Sequence, residues 1–135
     1  MRKLSLVLLL FVATVLPARA QVAVVVNKSV PAAQVDAGDV LDIYALEKAK
    51  WGDGTRVVVF TQDAQADVFF SQLGRSQTDL KKVLLRKKLS GEGQPPEVLK
   101  SDEEVLARVA ATPGAVGFVS AGKVNGQVKV VATFN

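Results

Sequence analysis

The sequence predicts an α/β domain: a mixed, mostly parallel sheet with helices on both faces. Three observations predict it. Two short runs, 22–26 (VAVVV) and 115–119 (AVGFV), are apolar at every position, as strands covered on both faces are. The segments between them carry apolar residues at helical spacing, bounded by capping and stop residues. Asn125-Gly126 before the last apolar run favours a hairpin, so one antiparallel pair joins an otherwise parallel arrangement.

The elements follow in order. Residues 22–26 form the first strand, ended by Asn27-Lys28-Ser29 and barred from continuing by Pro31. Val40, Leu41, Tyr44 and Ala45 mark a short amphipathic helix over 37–46. Trp51-Gly52-Asp53-Gly54 is a tight turn, and 56–60 (RVVVF) a second buried strand. Thr61 or Asp63 caps a helix running to about Leu73, with Gly74 as its stop. A further helix covers 76–89, and 91–96 is a loop. Ser101 and Glu104 have the spacing of a capping box, the glutamate reaching back to the N–H of the cap. Val105, Leu106, Val109 and Ala110 give the next helix its apolar stripe. Thr112-Pro113-Gly114 stops it, because proline disfavours helix in the residue before it and glycine takes positive φ at little cost. Residues 115–119 and 128–134 close the domain as strands. The expected order is β-α-β-α-α-α-β-β.

The first twenty residues read as a leader. Arg2 and Lys3 are basic, 4–16 is mostly apolar, and Ala18 and Ala20 have the spacing of a signal-peptidase site, with cleavage after Ala20. The expectation is a signal peptide over 1–20, one domain over 21–135, and a periplasmic or secreted protein without stable membrane insertion after cleavage. Three of the 17 Lys+Arg (Arg2, Lys3, Arg19) lie in the leader. The remaining 14 stand against 13 Asp+Glu, so the basic balance of the whole chain is no argument for a nucleic-acid partner.

Composition also weighs against catalysis. The chain has no histidine and no cysteine, which removes the commonest general base and the best nucleophile. No catalytic residue, metal ligand or cofactor is expected. Asp63 and Asp67, four apart, and the consecutive Asp102, Glu103 and Glu104 read as helix-start carboxylates favoured by the dipole. The glycines of 91–96 lack the Gly-Lys-Ser/Thr ending of a phosphate-binding loop. The lysine-rich run 81–88 reads as a solvated helix, and Tyr44 and Trp51 as packing residues.

Four stretches resemble one family. Residues 24–29 are similar to its opening "vvvNks". Ile43-Tyr44 with Trp51-Gly52-Asp53-Gly54 resembles its "iFlGk…W.dG". Leu89 to Pro96 resembles "FsGkG.pP", and 101–119 (SDEEVLARVAATPGAVGFV) resembles its closing helix and "pGaIGYv" strand. The family is that of phosphate ABC transporter substrate-binding proteins, and within it a single-lobe form with a PBP-like domain. The resemblance implies one lobe of a type II periplasmic binding protein, whose full-length relatives close two lobes on the ligand. It also implies a strand-to-helix stretch carrying Arg, then Ser-Gly-Thr, then Phe. The corresponding stretch here, 60–70, lacks the arginine and the Ser-Gly-Thr. An oxyanion would have to be held by the helix N-terminus with Ser29, Thr61, Gln62 and Gln65, at the carboxyl ends of the strands. Two functions remain open on this reading. One is a solute-binding-like protein taking an inorganic oxyanion weakly and working with an ABC transporter. The other is a single-lobe module that binds another envelope protein and no small molecule.

Overall fold

The computed structural model describes residues 21–135; the leader expected over 1–20 lies outside them. The elements are β1 (Val22–Val26), α1 (Ala37–Tyr44), β2 (Val58–Gln62), α2 (Asp63–Gln72), α3 (Gln77–Leu89), β3 (Glu97–Leu99), α4 (Asp102–Ala111), β4 (Ala115–Ser120) and β5 (Lys129–Phe134). They build a mixed sheet in the order β3-β2-β4-β1-β5. β2 pairs in parallel with β3 and β4, while β1 is antiparallel to both β4 and β5. Four strands therefore run one way and β1 runs the other.

Strand alternation sorts the core onto two faces. Val22, Val24 and Val26 of β1, with Val116 and Phe118 of β4, pack against α1, α2 and α3. Ala23, Val25, Ala115 and Val119 point the opposite way, to Val105, Leu106 and Val109 of α4. The all-apolar runs are thus explained by helices on both sides. α4 lies so close to β4 that a Cβ on Gly117 would stand 2.6 Å from Val105 Cγ1. On the larger face Tyr44, Phe69, Phe70 and Phe118 form an aromatic cluster, with Phe69 and Phe118 stacked at 4.1 Å. The Tyr44 hydroxyl donates to Phe60 O at 2.8 Å, and its burial pushes the phenol pKa well above 10.

Several expectations shift. α1 ends at Tyr44, short of residue 46, because Leu46 turns to a φ of 61°. β2 lies two residues later than 56–60: Lys50 and Arg56 instead form an isolated bridge that closes the Trp51–Gly54 turn. Thr61 is consequently a strand residue and Asp63 the first helical one, so neither caps α2. Gln62 holds the N-cap position without a side-chain bond to the helix. The Ser101 cap forms, its Oγ accepting from Glu104 N at 3.1 Å, but Glu104 Oε2 accepts from Lys100 N rather than from the cap's own N–H. The three-residue β3 follows Pro95-Pro96, where no strand was expected. The Asn125-Gly126 hairpin does not form. β5 crosses to the far side of β1, parallel in direction to β4, and Asn125 Oδ1 instead accepts from Gln127 N in a local turn.

One end of the sheet is tied by residues from three distant segments. Asn27 Nδ2 donates to Val109 O and Ala110 O, satisfying the last carbonyls of α4. Ser29 Oγ accepts from Gly114 N at 3.1 Å, and Trp51 Nε1 donates to Gly114 O at 2.8 Å. Gly114 sits at φ 77°, and a Cβ there would stand 2.3 Å from Arg56 O. Only glycine fits this junction.

Candidate functional site

In α/β sheets ligands collect beyond the carboxyl ends of the parallel strands. Here that edge is formed by the ends of β2 and β4 and the starts of α2 and α4. Gln62, the last residue of β2, is almost fully buried. Its Nε2 donates to Asp102 Oδ1 at 2.6 Å and to Phe118 O at 2.8 Å. Asp102, the first residue of α4, also accepts from Ser120 N at 3.3 Å. Gln65, one turn into α2, donates from Nε2 to Ser120 Oγ at 2.9 Å. Gln62, Gln65, Asp102 and Ser120 thus form one polar network joining two strand ends to two helix starts.

Of the four residues expected to hold an oxyanion, the structure brings two together. Gln62 and Gln65 share the network, but their amide N–H groups are directed to protein acceptors. Thr61 has the opposite strand parity and lines a groove on the other face of the sheet. Ser29 is at the wrong end. It follows β1, which runs antiparallel to β4, so it lies beside Gly114 and not beside Ser120. A five-residue strand at ~3.4 Å per residue separates the two ends by roughly 15 Å. Placing all four at one rim assumed that β1 points the same way as β2; the pairing with β4 reverses it.

The network adds two residues that sequence reasoning did not assign to the site, Asp102 and Ser120. In the sequence the helix dipole alone accounts for Asp102. The signal available in the sequence was its position at the first turn of a helix entered from a strand end, the same kind of junction as Gln62–Asp63.

The electrostatics of this edge are mixed. The first N–H groups of α2 have no side-chain cap, and a helix start of this kind favours an anion. Against it stand the carboxylates of Asp63, Asp67 and Asp102. Gln62 Oε1 is buried without a hydrogen-bond partner among the described residues. It is an acceptor, and so calls for a donor rather than for a bare dianion. Among the described residues no group of His, Cys, Asp and Glu could hold a metal ion, and no helix is long and apolar enough to cross a membrane.

Solved structures share this arrangement of sheet and helices. A protein from Clostridium perfringens, assigned as a phosphate ABC transporter substrate-binding protein and holding phosphate, superposes with a TM-score of 0.67 at 17% identity over 83% of this chain and 45% of its own. An ABC-type phosphate transport receptor from Vibrio cholerae gives 0.66 at 23% identity, over 83% and 46%. PstS from Borrelia burgdorferi gives 0.59 at 13% identity, over 84% and 47%. The chain spans slightly less than half the length of these structures. The likeness is one of fold, and the neighbours are binding proteins of transport systems rather than enzymes. No protein-family model and no curated protein matches the sequence.

Proposed function

We propose that the chain is an exported solute-binding-like protein, a single lobe of the phosphate-receptor fold, that takes phosphate at its carboxyl edge only weakly. The observation that carries this reading is the Asp102 carboxylate, at the start of α4, bonded to Gln62, the N-cap residue of α2. Two like charges ~4 Å apart repel by about 4 kcal/mol at the effective dielectric near a protein surface. That corresponds to roughly a thousandfold in affinity. Expected site residues Gln62 and Gln65, with Thr61 and Ser29, offer no cation to offset it. The uncapped α2 start supports the residual attraction.

Calorimetry with inorganic phosphate tests the reading. The expected dissociation constant is millimolar or weaker. Asp102→Asn keeps an acceptor for Gln62 and Ser120 while removing the charge, and should tighten binding at least tenfold. Micromolar binding by the unaltered protein, or no response to Asp102→Asn where binding is measurable, would overturn it.

A second reading is favoured by a different observation. Leu85, Leu89 and Val98 are 56%, 79% and 54% exposed. Apolar side chains this open in a small domain suit an interaction module that docks on an envelope protein. Under this reading no small molecule binds, and cross-linking in the periplasm should capture a partner through α3.

A further inference from the structure

The face of the sheet that carries α1, α2 and α3 is not fully closed. A groove of about 290 Å³ runs between α3 and the edge strand β3. Lys81, Leu84, Leu85 and Lys88 line one wall. Their spacing, with Gln77 and Leu80 before them, is 3, 4, 7, 8 and 11 from the first, which is one face of a helix. Pro95, Pro96 and Val98 form the opposite wall. Lys81 and Lys88 are exposed and make no ion pair among the described residues, whereas Lys87, turned away, is held by Glu47 at 2.9 Å. Asp63 is the only carboxylate among the lining residues, so two cations face one anion there.

Size and charge together narrow the occupant. The volume lies at the lower limit of small-molecule pockets. The walls are aliphatic and the two free charges are positive. We propose that this groove binds a small amphiphilic anion, a compound with one carboxylate or sulfonate on an alkyl or aryl body. The body lies against Leu84, Leu85, Pro95, Pro96 and Val98. The acid group pairs with Lys81 or Lys88 at the rim. The groove adjoins the β2–α2 junction through Thr61 and Asp63, but Gln62 and Asp102, on which the phosphate reading rests, do not line it.

Titration calorimetry of the protein with decanoate, below its micelle concentration, tests this. The expected result is saturable one-to-one binding. Each buried methylene is worth about fourfold, so hexanoate should bind at least tenfold more weakly. Decylamine, with the same chain and opposite charge, should also lose at least tenfold. Leu85 and both lysines are exposed, so Leu85→Glu and the paired Lys81→Glu, Lys88→Glu variants should fold, as circular dichroism checks, and each should weaken decanoate at least tenfold. Lys82→Glu, off the groove-lining stripe, should not. Absence of saturable binding, equal affinity for decylamine, an unchanged Leu85→Glu variant, or displacement of decanoate by inorganic phosphate overturns the proposal. The first of these returns the groove to a protein partner.

Discussion

Replacing Gly114 by alanine separates two reasons why that position is glycine. The residue sits at φ 77°, and its Cβ would meet Arg56 O at 2.3 Å and Thr55 Cγ2 at 3.2 Å. The left-handed conformation alone costs an L-residue about 1–2 kcal/mol, partly offset by the ~0.4–1 kcal/mol that alanine removes from unfolded-chain entropy. The clash is with backbone, so the strand start must move, at about 1–3 kcal/mol for overpacking. Movement also lengthens the Trp51 Nε1 bond to Gly114 O, and a buried indole N–H left unpaired costs ~1–3 kcal/mol more. The sum is roughly 2–7 kcal/mol, a large share of the ~5–15 kcal/mol a domain has. Gly91 is the control, with φ 75° and nothing within 4 Å of its Cβ. Gly91→Ala should cost only the conformational part, about 0.5–1.5 kcal/mol. Urea denaturation of both variants, with slopes compared, measures the difference. If the two losses agree within ~0.5 kcal/mol, the junction is not what holds this end of the sheet.

Two further outcomes follow from the core. Tyr44 is the sole tyrosine, and its folded pKa lies above the unfolded value of 10. Its contribution is therefore complete below pH 10 and is lost as pH rises past 10 toward the folded pKa, at up to ~1.4 kcal/mol per pH unit. Tyrosinate absorbance should rise only with unfolding, and Tyr44→Phe should remove that part of the alkaline destabilisation; early, non-cooperative ionisation would contradict the burial. Gly117→Ala should cost ~1–3 kcal/mol in denaturant, since Val105 cannot leave its rotamer freely under α4; a neutral change would mean that α4 can lift from β4.

Much of the fold was legible because local signals agreed with the tertiary solution. The alternation of β1 between two helical layers, the Ser101 start of α4 and the Pro113-Gly114 stop all act within a few residues. What was not legible depends on pairing. β3 is too short for any periodicity and exists because Phe60, Thr61 and Gln62 offer it a ladder. The direction of β1 is set by two long-range partners, and no local feature of VAVVV encodes it. That single unknown misplaced Ser29. β5 fails as a hairpin because β1 offers it an unoccupied edge, and a turn residue such as Asn125 is satisfied equally well in a crossover.

The two ends of the sheet differ in how completely their polar groups are bonded. Asn27, Ser29, Trp51 and Gly114 come from three of the four stretches that carry the resemblance, and they meet at the amino end of β4, where they bond to one another. These residues are constrained by backbone geometry: a change in one leaves another's N–H or carbonyl without a partner. The carboxyl end has no such closed accounting. Among the described residues Gln62 Oε1 is unpaired, α2 has no side-chain cap, and Asp102 brings a carboxylate to the edge. The groove beside α3 touches the carboxyl end through Thr61 and Asp63 and is otherwise walled by α3 and β3. Its lysines and Leu85 are exposed side chains at the edge of the sheet, and they are the residues on which a ligand there would act.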